Sequence, residues 1–99
     1  MKYEKIRTTV LQAIQEAVEK RLINGTSGNI AMRDEEDPRV IAITPSGISY
    51  AGMTPEDIAV VKMQEDGTNL WIEGNYKYSS ELPMHAAVMR QRTDVNATV

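Results

Sequence analysis

Apolar residues recur every three or four positions through the first quarter of the chain. This spacing places them on one face of an α-helix, and charged or polar side chains occupy the other faces. Asn24-Gly25 follows the pattern and is a natural helix stop, since both residues tolerate a positive φ. The pattern therefore predicts a helix over residues 2–23 that packs against a core. Its apolar face is formed by Tyr3, Ile6, Val10, Ile14 and Ala17.

Short apolar or β-branched runs then alternate with turn residues, a pattern typical of β-strands. The runs are residues 30–33, 40–43, 58–63 and 70–72. Asp66-Gly67 favours a tight hairpin between the last two runs. A second helix is expected from Pro83 to about Arg92, followed by an extended run over residues 95–99. Together these elements predict a mixed α/β domain.

A single helical turn is predicted between the second and third of these strands. Thr54 is placed to cap the turn, and Pro55 suits its first helical position. Asp57 lies three residues after Thr54 and can act as its acidic capping-box partner.

The composition is that of an ordinary soluble domain, with 99 residues, 41% apolar and 25% charged. The net charge of −3 provides no general attraction to nucleic acid or to a membrane surface. No cysteine is present, which excludes disulfides and thiolate metal sites and fits a reducing compartment. No stretch approaches the ~20 apolar residues of a membrane span, so a cytoplasmic protein is expected.

Two turns combine glycine with hydroxyl residues next to predicted strands. The first, residues 24–29, reads Asn-Gly-Thr-Ser-Gly-Asn, and the second, residues 44–47, reads Thr-Pro-Ser-Gly. Glycine lets backbone amides approach an anion closely, and Thr26 and Asn29 can add side-chain donors. A simple turn between a helix and a strand is the alternative for the first segment, because the same residue types favour turns.

A third polar turn, Ser79-Ser80-Glu81, precedes the second helix. Pro83 is suited to the first turn of that helix, and helix N-termini attract anions. The two serines can cap the helix or help to hold a phosphate, and Glu81 can act as a base. The alternative is that Ser80 is the N-cap and Glu81 a favourable first-turn charge.

His85 is the single histidine of the chain. No second imidazole and no thiolate exist to join it in a metal site. We therefore expect His85 to be a helix residue that is hydrogen-bonded nearby and not a metal ligand.

These motifs, taken in order, resemble the class II aldolase/adducin family, in particular its L-fuculose-phosphate aldolase branch. The motifs are Gly-Thr-Ser-Gly-Asn-Ile, Ile-Thr-Pro-Ser-Gly-Ile, Met-Thr-Pro-Glu-Asp-Ile, Ser-Ser-Glu-Leu-Pro-Met-His and Arg-Thr-Asp-Val-Asn-Ala-Thr-Val. The resemblance implies an α/β/α fold with a central, mainly antiparallel sheet that is incomplete in this chain. Residues 1–99 would be the N-terminal portion of a single domain, and the family's enzymes form homotetramers.

The resemblance also assigns roles to the three polar turns. It implies that Glu81 removes a proton beside the substrate carbonyl. The implied activity is retro-aldol cleavage of a phosphorylated ketose to a three-carbon ketone phosphate and an aldehyde. The residues that match the family's phosphate-binding positions are Thr26, Gly28, Asn29, Thr44, Gly47, Ser79 and Ser80.

The family's metal ligands are not found in this chain. In the family, a His-x-His pair directly follows the motif that here ends at Val99, and a third histidine comes later. We therefore expect Zn²⁺ in the full-length enzyme but none bound to this fragment, which should be inactive alone and prone to associate through an open sheet edge. The alternatives are a non-catalytic adducin-like self-association module and an L-ribulose-5-phosphate 4-epimerase-like enzyme; Glu81, where the epimerase branch tends to carry Asp, favours the aldolase.

Overall fold

The computed structural model describes residues 1–23 and 28–99 of the chain. Two helices, one 3-10 turn and five strands make up the described part. The helices are α1 (Glu4–Glu19) and α2 (Leu82–Gln91), and the 3-10 turn is Pro55–Asp57. The strands are β1 (Ala31–Arg33), β2 (Val40–Ile43), β3 (Ala59–Met63), β4 (Asn69–Glu73) and β5 (Ala97–Thr98).

All four strand pairings are antiparallel, and the strand order across the sheet is β4-β3-β2-β1-β5. The first four strands follow one another as neighbours, as expected for short connections. The last strand returns after α2 to the opposite edge, where Thr98 lies across from Ala31. The expectation of a mainly antiparallel sheet is confirmed.

The side chains of β2 alternate between the two faces of the sheet, and each face carries its own core cluster. Ala42 packs with α1, whereas Ile41 and Ile43 pack with α2. Successive side chains of a strand point to opposite faces, so a strand buried on both sides is apolar throughout. The two helices therefore enclose the sheet, and the α/β/α fold inferred from the sequence is confirmed.

The first helix is shorter than the predicted residues 2–23. Arg21 has a φ of 59°, which takes the chain out of the helix. The N–H of Leu22 donates to the carbonyl of Ala17 at 2.9 Å, and the N–H of Arg21 donates to that of Val18 at 3.0 Å. These two bonds are those of a Schellman motif, which satisfies the last helical carbonyls. The predicted stop at residues 24–25 lies outside the described residues.

Two buried arginines connect elements that are distant in the chain. Arg7 of α1 is 2% exposed and pairs with Glu73 of β4 at 3.2 Å. It also donates to the backbone carbonyls of Lys2, Pro55, Glu56 and Ile58. Arg7 thus supplies donors to three carbonyls in and directly after the 3-10 turn.

Arg33 of β1 likewise connects elements that are distant in the chain, at the other end of the sheet. Its guanidinium donates to the backbone carbonyls of Pro38, Met89, Arg92 and Val95. These carbonyls lie in the β1–β2 turn, at the end of α2 and before β5. Arg33 therefore ties the segment that precedes β5 to the body of the sheet.

Candidate functional site

The first polar turn is anchored on both sides of Asn29. The Tyr50 hydroxyl donates to the carbonyl of Gly28 at 2.5 Å. The N–H of Ile30 donates to the side-chain hydroxyl oxygen of Thr44 at 3.2 Å. Tyr50 and Thr44 are both buried, so these bonds form away from competing water. The end of the first turn is therefore fixed against the start of the second.

Asn29 itself contacts the second helix and the last strand through His85. The Nε2 atom of His85 is hydrogen-bonded to Oδ1 of Asn29, and its Nδ1 atom lies 2.6 Å from the Thr98 hydroxyl oxygen. The imidazole is completely buried. The expectation that His85 is a hydrogen-bonded helix residue is confirmed.

Thr44 also joins the second turn to the third. Its carbonyl accepts the N–H of Ser79 at 3.0 Å, and its own N–H donates to the carbonyl of Ile30 at 3.1 Å. Pro45 forms an isolated antiparallel bridge with Tyr78 in the same region. Backbone groups of Ile30, directly after the first turn, and of Thr44 and Ser79 are thus linked by hydrogen bonds.

The beginning of α2 differs from the alternative in which Ser80 is the N-cap. Glu81 occupies the N-cap position, and its N–H donates to the Ser79 hydroxyl at 3.1 Å. Pro83 lies in the first turn, as predicted. The N-cap role therefore belongs to Glu81, because the Ser79 side chain turns inward and organises the residues before the helix. Ser80 and Glu81 remain exposed to solvent.

Gly47 and Thr26 complete the set of predicted site residues. Gly47 is exposed, has a φ of 66° and would have no atom within 4 Å of an added Cβ. The adjacent Ser46 N–H donates to the Lys77 carbonyl at 3.1 Å, which keeps this turn beside the third one. Thr26 lies outside the described residues. The role of these residues in binding phosphate stays a prediction.

Two residues that organise the cluster were not recognised as such from the sequence. Tyr50 lies in an irregular segment with no periodic pattern, and His85 was expected only to bond nearby. Their partners, Gly28 and Asn29, are 22 and 56 positions away in the chain. Contacts over such separations leave no local pattern that a single sequence displays.

The protonation of His85 predicts how stability depends on pH. Burial lowers the pKa of His85 below its ordinary 6.5, and the negative charge of Glu81 opposes that shift. Below pH ~6.5 the unfolded imidazole takes up a proton before the folded one does. The free energy of unfolding is therefore expected to be highest above this pH and to fall as the pH drops towards the lowered pKa.

Urea unfolding between pH 7.5 and 5 would measure this loss, with His85→Gln as the variant that cannot titrate. The pKa values of Asp57 and Asp66 are both lowered from 3.8. For Asp57, desolvation raises the pKa, but hydrogen bonds from Thr54 and Asn75 outweigh it; for Asp66 the hydrogen bond from Thr68 is the main cause. The contribution of these two carboxylates to the free energy of unfolding is lost only at more acidic pH. An equal dependence of the free energy of unfolding on pH in the wild type and in His85→Gln would contradict the prediction.

The described side chains do not by themselves fit a zinc ion. Among residues 1–23 and 28–99, no group of three or more histidine or acidic residues is arranged to hold a metal. Both ring nitrogens of His85 are already hydrogen-bonded. Glu81 is the one carboxylate within the third turn, and a single carboxylate does not make a zinc site.

A cavity of about 1060 Å³ lies away from this cluster, between the start of α1, the β1–β2 turn and the segment before β5. Lys2 and Lys5 line it together with Glu35 and Glu36. Lys5 and Glu35 pair with each other at 3.0 Å on the surface. Because its opposite charges compensate each other, this cavity is a poorer candidate for a phosphate than the three turns.

No helix within the described ranges is long and apolar enough to cross a membrane.

The chain is similar to sugar-phosphate aldolases over its whole length. It is 37% identical over 99 residues to the 5-deoxy-D-ribulose 1-phosphate aldolase of Bacillus thuringiensis serovar kurstaki, covering 100% of this chain and 44% of that protein. It is 32% identical over 81 residues to the L-fuculose phosphate aldolase of Methanococcus maripaludis, covering 82% of this chain and 40% of that protein. The chain thus spans less than half the length of these relatives.

A solved structure of an L-fuculose 1-phosphate aldolase superposes with a TM-score of 0.83 at 32% identity. The match covers 98% of this chain and 43% of that one. The model of the Class II Aldolase and Adducin N-terminal domain matches residues 8–99. The resemblance inferred from the five motifs is therefore confirmed, and the chain belongs to the class II aldolase and adducin family.

Proposed function

We propose that this chain is the N-terminal portion of a class II sugar-phosphate aldolase that cleaves a phosphorylated ketose to a three-carbon ketone phosphate and an aldehyde. One observation carries the proposal: the three polar turns form a single hydrogen-bonded cluster whose exposed end bears Glu81. The cluster is closed by the contacts of Asn29, Thr44 and Ser79. The names of the aldolase relatives support the same assignment.

The cluster offers the groups that a phosphoryl group needs. Helix N-termini and glycine turns present N–H donors to anions, and hydroxyl and amide side chains can add further hydrogen bonds. We assign phosphate binding to Thr26, Gly28, Asn29, Thr44, Gly47, Ser79 and Ser80. Holding the phosphate away from the reacting bond would place the sugar carbons in a defined orientation.

Glu81 is assigned as the residue that moves a proton. Its carboxylate is exposed at the N-terminus of α2, next to the proposed phosphate-binding serines. A positioned carboxylate can remove a proton adjacent to a carbonyl and return it after cleavage. The family resemblance favours aldol cleavage over the epimerase reaction, because the epimerase branch tends to carry Asp where this chain has Glu81.

Further features of the whole protein are proposed from the family resemblance. They are Zn²⁺ as cofactor, with a His-x-His pair just after Val99 as part of its site, a homotetramer, and a cytoplasmic location. A fragment ending at Val99 would accordingly be inactive, and its association through the edge strand β5 stays a prediction. Product analysis of the whole protein with Zn²⁺ and phosphorylated ketoses would separate the aldolase from an epimerase and from a non-catalytic module.

Inorganic phosphate is expected to stabilise this chain against heat, because a ligand that binds only the folded state raises its stability. At a phosphate concentration 100 times Kd the gain is about 2.7 kcal/mol, read as a rise in Tm over chloride of equal ionic strength. Asn29→Ala should reduce the rise, whereas Asn75→Ala, whose side chain bonds Asp57 outside the cluster, should keep it. Equal rises in phosphate and chloride would refute the phosphate site.

A further inference from the structure

A chain of three hydrogen-bonded side chains, with a buried residue at its centre, connects the first turn, the second helix and the last strand. Asn29 precedes β1, His85 lies in α2 and Thr98 lies in β5. His85 is fully buried and lies between the other two. Among the side chains that the structure describes, none that is buried lacks a hydrogen-bond partner. We propose that His85 is a positioning residue that fixes the orientation of the Asn29 amide, with the Thr98 hydroxyl bonded to the other nitrogen of the imidazole.

The donor and acceptor atoms of the three side chains determine the direction of each hydrogen bond. Oδ1 of Asn29 is an acceptor only, so Nε2 of His85 carries the proton and donates to it. In a neutral imidazole the other nitrogen, Nδ1, is then an acceptor. The Thr98 hydroxyl is the donor to Nδ1 across 2.6 Å. A hydroxyl can fill this role, since it can donate to a neutral ring nitrogen.

The orientation of Asn29 determines what it offers to a ligand. With Oδ1 turned towards His85, the other end of the amide is Nδ2, which is a pure donor. A reversed amide would present its oxygen to an anion and lose the bond from Nε2. This consequence rests on the proposed function, which places a phosphate at the turn. His85 thus acts on the phosphate through Asn29 and does not touch it.

The tautomer can be measured without any ligand, and the single histidine makes its signals unambiguous. In ¹⁵N-labelled chain at pH 7.5, the imidazole spectrum should show a protonated Nε2 and an unprotonated Nδ1. Thr98→Val, which removes the hydrogen-bond partner of Nδ1 and keeps the side-chain shape, should shift the Nδ1 signal. A protonated Nδ1, or no response to Thr98→Val, would overturn the proposal.

A double-mutant cycle tests whether His85 acts through Asn29. His85→Leu is expected to weaken phosphate binding about tenfold, as expected when a donor to a charged group is misplaced. Asn29→Ala should weaken it similarly, and the double variant should lose no more than Asn29→Ala alone. Losses that multiply in the double variant would show independent effects and contradict the positioning role.

Met89→Ala provides the matched control on the same helix. Met89 is fully buried on α2, about one turn after His85, and its side chain belongs to the core cluster on that face. The variant should lower Tm while leaving the phosphate affinity unchanged. A parallel loss of affinity in Met89→Ala would indicate that His85→Leu acts only by destabilising the fold.

Thr98→Val gives the affinity test if His85→Leu does not fold, with a smaller expected loss because His85 itself is retained. An unchanged phosphate affinity in Thr98→Val would then overturn the link to binding. Failure of the proposed function has a different signature. If the wild-type chain shows the expected tautomer but no phosphate binding, the phosphate site is refuted while the positioning of Asn29 stands.

Discussion

Glu81→Gln in the whole protein is expected to lower kcat for cleavage of a phosphorylated ketose by about 10²–10⁴-fold, the range for loss of a general base. Gln is nearly isosteric with Glu but does not accept a proton at neutral pH. The side chain is exposed at the helix N-terminus, so its replacement should leave the fold intact. Initial rates over a range of substrate concentrations would separate kcat from KM.

Binding should respond differently from turnover in this variant. The phosphate-dependent rise in Tm should persist or increase, because Glu81→Gln removes a negative charge near the proposed anion site. Glu65→Gln is the matched control, since this exposed glutamate lies in the turn between β3 and β4. A Glu81→Gln enzyme with unchanged kcat would refute the role of Glu81 as the base.

Arg33→Leu is expected to destabilise the chain by about 3–5 kcal/mol, because each buried acceptor that loses its donor costs about 1–3 kcal/mol. Leucine would bury the same position but leave the carbonyls of Pro38, Met89 and Val95 without the donor that Arg33 supplies. Urea unfolding would measure the change. A chain of this size has about 5–15 kcal/mol of stability in total, so the loss would be a large share of it.

The part of the chain that Arg33→Leu destabilises should be as informative as the size of the stability loss. Amides near β5 are expected to lose protection in hydrogen exchange first, because Arg33 ties this segment to β1. Arg39→Leu is the matched control: Arg39 is exposed, and its ion pair with Asp37 is long at 3.8 Å. Its effect should stay within about 0.5 kcal/mol. Equal losses in the two variants would contradict the role assigned to Arg33.

Local signals in the sequence predicted most of the elements correctly. The β2 run was placed at residues 40–43, as observed, because four consecutive apolar residues suit a strand buried on both faces. The capping box before β3 was also read correctly: the N–H of Thr54 donates to Asp57 at 2.9 Å. Both features depend on neighbours within a few residues, so the sequence displays them directly.

The end of α1 was predicted too late for an equally physical reason. Glycine and asparagine were expected to provide the left-handed residue, but Arg21 adopts that conformation. The bonds of the Schellman motif and the packing of the helix offset the cost of a positive φ at a non-glycine residue. Intrinsic preference alone did not decide the boundary, because the two bonds of the Schellman motif form around Arg21.

The sequence by itself determined the helices and the strand runs, because hydrophobic periodicity is a property of short segments. The order of its motifs gave the resemblance to the family, and that resemblance implied the layered fold and placed the three polar turns in one set of candidate residues. Only the tertiary structure decided that Thr44 bonds both neighbouring turns and that His85 joins Asn29 to Thr98. These contacts arise because the antiparallel sheet brings distant strand ends together, and a buried polar group then takes whichever partner the folded chain places beside it.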